Sequence, residues 1–159
     1  MTALIRDATA DDLATIVQFN CSMALETEGK ELDQRAVALG VSAMLDNANL
    51  GHYFVAQARG DASHWQQGET LGCTMITYEW SDWRNGAFWW IQSVYITPDA
   101  RRQGVFSRLY GHIRGAALAA NACGLRLYVE RDNERAQATY AQLGMHETPY
   151  RLLEEEFTP

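Results

Sequence analysis

The residues best placed to do chemistry lie in one stretch, Val94-Tyr95-Ile96-Thr97-Pro98-Asp99-Ala100-Arg101-Arg102-Gln103-Gly104-Val105-Phe106-Ser107. An apolar run stops at a proline, arginines and a glycine follow, and a helix-forming sequence begins. At such a junction, free backbone N–H groups and the positive end of a helix dipole converge, which suits a phosphate. Gly104 has no Cβ and lets an anion approach the backbone. Arg101, Arg102 and Arg108 fall within eight residues, and the planar fork of arginine matches phosphate oxygens. The stretch lacks Gly-x-x-x-x-Gly-Lys and Gly-x-Gly-x-x-Gly, which argues against a nucleoside-triphosphate or dinucleotide loop. On this physics alone, Gly104 serves equally as an ordinary turn between loop and helix.

The rest of the chain narrows the classes. It has 159 residues, 47% of them hydrophobic, enough for one sizeable core and one domain, residues 1–159. No apolar run is long enough to span a bilayer, the longest being residues 87–91, and no secretory leader is visible, so a cytoplasmic protein is expected. The net charge of −7 speaks against nucleic acid or an anionic membrane as partner. Lys30 is the single lysine, so the basic character is otherwise carried by arginine. Cys21, Cys73 and Cys123 are too scattered for a disulfide framework or a zinc site and read as reduced, buried thiols. His52, His64, His112 and His146 show no metal-ligand spacing, so no metal is expected.

The elements that must position the loop can be read from periodicity. Leu4-Ile5-Arg6 is a short strand, and Thr9 caps a helix reaching about Glu26, with Ile16, Val17, Asn20 and Ala24 on one face. A second helix covers residues 33–45. Strands follow at 53–58 and 71–78, with a polar loop at 59–69 between them. Asn85-Gly86 marks a hairpin turn, and residues 88–96 form a central strand covered on both faces. A helix over residues 104–121 carries Val105, Leu109, Ile113, Ala116 and Ala120 as its apolar stripe. A strand at 125–130, a helix at 134–143 capped by Asn133, and a last strand at 150–157 complete the order, an α/β chain with a mixed sheet. Trp80, Trp83, Trp89 and Trp90 crowd one hairpin, where they can line an acceptor pocket, form a homodimer contact or pack in the core.

The arginine-glycine stretch resembles the coenzyme A pyrophosphate loop of the GNAT (Gcn5-related N-acetyltransferase) superfamily. Pro98, Arg101 and Gly104 match that pattern, and Phe106 departs from it, standing where the family has a small residue. A second stretch, Asn133-Glu134-Arg135-Ala136-Gln137-Ala138-Thr139-Tyr140-Ala141-Gln142-Leu143-Gly144-Met145, is similar to the family's later motif, with Met145 where Phe is common. The two occur in the family's order, and the element order fits over the whole chain.

The resemblance implies a mixed, mostly antiparallel sheet of about six to seven strands with about four helices. It implies acetyl-CoA as co-substrate and an amine-bearing acceptor. The fourth and fifth strands are expected to splay apart, with the backbone of Val94, Tyr95 and Ile96 pairing with the pantetheine amides. Arg101, Arg102, Gln103, Gly104, Val105, Phe106 and Ser107 are expected to hold the pyrophosphate, and Asn133 and Tyr140 to complete the cofactor site. The amine attacks the thioester directly, so no cysteine nucleophile is needed. Tyr140 matches the family's acid, and a phenol with a pKa near ~10 suits an alkyl thiolate leaving group. Glu79 is the expected base, with Asp82 and Glu130 as lesser candidates and Gln92 or Ser93 able only to hold a water. The alternative is a domain that holds acyl-CoA as a sensor or scaffold without turnover.

Overall fold

The computed structural model describes residues 3–60 and 65–157, so His64 and the middle of the expected 59–69 loop lie outside the described residues. Five strands form one sheet: β1 (Ala3–Asp7), β2 (Gly51–Ala58), β3 (Thr70–Ser81), β4 (Gly86–Ile96) and β5 (Gly124–Leu127), side by side in chain order. The first four pair antiparallel and β5 joins β4 in parallel, which needs the crossover that α3 supplies. The helices are α1 (Leu13–Glu28), α2 (Gln34–Asp46), α3 (Val105–Ala119) and α4 (Glu134–Gln142).

Strand alternation sends side chains to two faces, and helices cover both. Tyr53, Val55 and Cys73 point to one face and pack with Ile16 and Phe19 of α1 and Val41 of α2. Burial pushes the Cys73 thiol up to about 12, so it stays protonated. On the opposite face, α3 buries Val105, Leu109, Ile113 and Ala117. There Phe54 meets His112 edge-on at 5.1 Å between ring centres, and Trp89 meets His52 and Tyr78. The start of α1 is anchored by Asp12, whose buried carboxylate takes two hydrogen bonds of 2.8 Å from Arg6 and one of 2.8 Å from the Thr9 N–H.

The chain divides into two compact units at Tyr128/Val129. The second holds α4 and an irregular tail. The strand expected at 150–157 is not formed, β5 stops at Leu127 rather than at 130, and the expected six to seven strands are corrected to five among the described residues. Tyr150, Leu152, Leu153 and Phe157 are all exposed, the adjacent leucines break strand alternation, and Glu154, Glu155 and Glu156 repel one another. Among the described residues, no helix is long and apolar enough to cross a membrane, and no cluster of three metal-ligating side chains occurs.

Candidate active site

The loop leading into α3 leaves the start of the helix uncapped and open. Pro98–Ala100 forms a single 3-10 turn, closed by the Ala100 N–H donating to the Thr97 carbonyl at 2.9 Å. Arg102 and Gly104 then both adopt the left-handed region, at φ 63° and 78°. Gly104 is the N-cap of α3, with no side chain capping the helix. A Cβ built on it would meet nothing within 4 Å, so the space in front of the helix is open. The first backbone bond of the helix runs from the Arg108 N–H to the Gly104 carbonyl at 3.1 Å. The N–H groups of Val105, Phe106 and Ser107 precede it and have no place in the helical ladder. Phe106 lies along the helix, its ring 6.3 Å from that of Tyr110 one turn on, so its bulk stacks beside α3. Gln103 donates to the Asp99 carbonyl at 2.8 Å and steadies the turn.

Arg101 is tied to the end of β4 and to α1. Its Nε donates to the Ile96 carbonyl at 2.9 Å, and its Nη2 pairs with Glu26 Oε2 at 2.5 Å. Of the expected loop arginines, Arg102 and Arg108 are the exposed ones.

Upstream of the loop, β4 changes register. Met75 faces Gln92 and Cys73 faces Tyr95, so between these pairs one residue of β3, Thr74, opposes two of β4, Ser93 and Val94. The extra residue is accommodated at Ser93, whose φ is 49°. The bulge reverses the alternation: Trp89 and Ile91 sit on the α3 face, whereas Tyr95 reaches the core under α1. Pairing of β4 with β5 covers only Phe88 to Ile91. From Gln92 to Ile96, β4 has a partner on its β3 side alone within the unit ending at Tyr128. That unpaired edge contains Val94, Tyr95 and Ile96 and leads straight to the uncapped start of α3. A chain of amides could add there as a further strand does.

On the α1 side of the sheet, ahead of the bulge, lies a polar and aromatic floor. Glu79 accepts from the Trp90 indole N–H with one carboxylate oxygen and from Arg126 Nη1 at 2.6 Å with the other. The Arg126 guanidinium lies 3.8 Å from the centre of the Phe88 ring, and Trp90 stacks against Tyr128 at 4.5 Å. Gln92 donates to Thr77 Oγ1 at 2.5 Å. Burial raises the Glu79 pKa, but donation from Trp90 and Arg126 and the arginine's charge outweigh it and hold the carboxyl below its usual range. Such a carboxylate is a weak base. It also stands opposite Phe88, four residues before Gln92, roughly 13 Å along the strand. Of the other candidates, Asp82 Oδ1 accepts from the Trp83 N–H at 2.9 Å within the hairpin turn. Glu130 lies in the second unit and offers its backbone carbonyl to Asn133 and Gln137. The four hairpin tryptophans divide three ways: Trp89 is core, Trp90 lies beside Glu79, and Trp80 and Trp83 are 65% and 87% exposed at the hairpin tip.

In the second unit, Asn133 Oδ1 caps α4 by accepting from the Ala136 N–H at 3.0 Å, so its side chain is engaged in the helix. Tyr140 lies about two turns along α4, half-buried, and burial raises its phenol pKa.

Three features escaped the sequence: Glu26, Arg126 and the bulge at Ser93. Arg126 and the bulge depend on strand register, which no local signal announces. Glu26 meets Arg101 across 75 residues of chain.

A family model described as acetyltransferase (GNAT) family matches residues 17–145. A solved structure described as a possible acetyltransferase from Clostridium difficile 630 is 42% identical over all of both chains, with a TM-score of 0.88. A predicted acetyltransferase from Clostridium acetobutylicum, described as with acetyl-CoA, has the same fold at 17% identity, a TM-score of 0.74, and coverage of 97% of this chain and 96% of its own. A ribosomal-protein-alanine N-acetyltransferase from Brucella melitensis biovar Abortus 2308 shares the fold at 15% identity, a TM-score of 0.76, and coverage of 99% of this chain and 100% of its own. Among curated proteins, no match was found.

Proposed function

The chain belongs to the acetyltransferase (GNAT) family, and from that membership we propose that it moves the acetyl group of acetyl-CoA directly onto a primary amine. The observation that carries this reading is the continuous path from the unpaired edge of β4, Gln92 to Ile96, to the open, uncapped N-terminus of α3. The residues fit the co-substrate. Backbone groups of Val94 and Tyr95 and the N–H of Ile96, whose carbonyl is held by Arg101, pair with its amides, and the N–H groups of Gly104, Val105, Phe106 and Ser107 receive its pyrophosphate, with Arg102 adding charge from the exposed side. Gly104 keeps that space clear.

Acetyl-CoA supplies an activated acyl group, and the acceptor amine forms the new bond to it. This chain's residues manage orientation and protons. A protonated amine has no lone pair to attack with, so one proton first leaves to solvent water, and the proton the nitrogen sheds as the amide forms offsets the one the thiolate takes up. Glu79, held ionised by Trp90 and Arg126, is better suited to organising the acceptor floor than to taking that proton. The departing thiolate needs a proton, and we assign its delivery to the Tyr140 phenol. A pKa raised by burial keeps that phenol protonated at neutral pH, ready to donate.

The direct test is release of free thiol from acetyl-CoA across a panel of amines, with mass spectrometry of the acetylated product. Turnover with at least one primary amine is expected. Tight acetyl-CoA binding with no turnover on any amine would favour a domain that senses or holds acyl-CoA. Gly104→Val places a branched side chain in the cleared space at a φ such residues avoid. It should weaken acetyl-CoA binding at least tenfold, about 1.4 kcal/mol. Unchanged affinity by calorimetry would remove the pyrophosphate from this loop.

A further inference from the structure

Arg101 occupies the position where the motif leads one to expect a phosphate ligand, yet two of its three guanidinium nitrogens are engaged within the protein. Nε is on the Ile96 carbonyl at 2.9 Å, and Nη2 is on Glu26 at 2.5 Å. The guanidinium also lies 5.6 Å from the centre of the Tyr95 ring. The other oxygen of Glu26 accepts from the Tyr95 hydroxyl at 2.9 Å. One carboxylate in the last turns of α1 therefore ties together the end of β4 and the residue that opens the loop. That loop needs holding. Arg102 is a non-glycine residue in the left-handed region, a conformation that persists when its surroundings impose it. Residues 102–104 are exposed and bury little, and the Gln103 bond to the Asp99 carbonyl fixes them only to the turn just ahead.

We propose that Glu26 is a positioning residue of the cofactor site. It braces Arg101 against the end of β4, so that Arg101 shapes the anion-binding loop instead of contacting phosphate. The proposal rests on the acetyltransferase reading above. It reverses a simple Coulomb expectation. If Arg101 were a phosphate ligand, Glu26 would compete with the phosphate, and removing its charge would free the arginine and tighten binding. As a brace, removal loosens the loop and weakens binding, because affinity then has to include the cost of ordering it.

The experiment is calorimetry of acetyl-CoA binding to wild type, Glu26→Gln, Arg101→Gln and the double variant, with melting curves to show that each is folded. Each single variant is expected to weaken binding about tenfold, or about 1.4 kcal/mol. The double variant is expected to be no weaker than either, since both remove one brace. With an amine that turns over, the loss should fall on KM for acetyl-CoA more than on kcat. Glu26→Gln binding as tightly as wild type, or more tightly, overturns the proposal, as do losses that simply add. Should Glu26→Gln fail to fold, Arg101→Gln decides the matter through ionic strength. A brace leaves the salt dependence of binding as in wild type, whereas a lost phosphate contact makes it shallower. Wild type that does not bind acetyl-CoA at all removes the acetyltransferase reading itself, an outcome distinct from tight wild-type binding that ignores Glu26.

Discussion

At Tyr140 the proposed chemistry rests on a single proton. Tyr140→Phe keeps the ring and most of its packing, so acetyl-CoA affinity should hold while single-turnover acetyl transfer slows by roughly 10²-fold. Full activity in the variant would assign the proton to water or to another group. Glu79 makes the contrasting case. A true base loses its importance where the amine is already deprotonated, so its removal would matter less at high pH. A carboxylate that orients Trp90 and Arg126 is ionised well below neutrality because its pKa is depressed. Its removal should then cost the same at every pH near and above neutral. Glu79→Gln is therefore expected to lower kcat/KM by a factor that is flat from pH 7 to pH 9, read from a rate profile. A defect that shrinks as pH rises would restore the base role.

At the scale of elements, the end of β4 does most of the positioning. It bulges at Ser93, sheds its β5 partner after Ile91, and turns through Pro98 into α3. β3 supports it closely from one side. Gly72 passes so near that an added Cβ would stand 2.5 Å from the Tyr95 carbonyl oxygen, a backbone atom that cannot swing aside. Gly72→Ala must therefore push β4 outward. It should destabilise the fold by about 1–3 kcal/mol in urea unfolding, the range for overpacking, and weaken acetyl-CoA binding in the same variant. A stable Gly72→Ala protein with native affinity would show that the strand end tolerates displacement and does not set the site.

For the whole molecule, charge and site pull in opposite directions. A net charge of −7 disfavours an anionic ligand at long range, so binding has to come from local donors, namely backbone N–H groups and exposed arginine at the start of α3. If the folded chain alone offers these, acetyl-CoA stabilises it by mass action. At a hundredfold excess over Kd the gain is about 2.7 kcal/mol, which for a chain of this size should raise Tm by roughly 5–10 °C. A melting curve unmoved by saturating acetyl-CoA would argue that the folded chain has no such site.

What the sequence determined by itself was whatever contiguous residues settle. The strand–proline–arginine–glycine–helix order of residues 94–107 was legible because each step is a local backbone preference: a β-rich run, a proline that ends it, a glycine free to turn left-handed, and a helix that starts behind it. The Asn133 cap of α4 was legible for the same reason. The sequence also suggested a strand at 150–157, and there local propensity found no partner. Tertiary structure alone decided how the side chains of that legible loop are used. Arg101 meets Glu26 because α1 lies on the face to which the Ser93 bulge turns Tyr95. Glu79 meets Arg126 because β5 joins β4 at one register and no other. A one-residue change of register sends every side chain on a strand to the opposite face, and no short stretch of sequence carries that information.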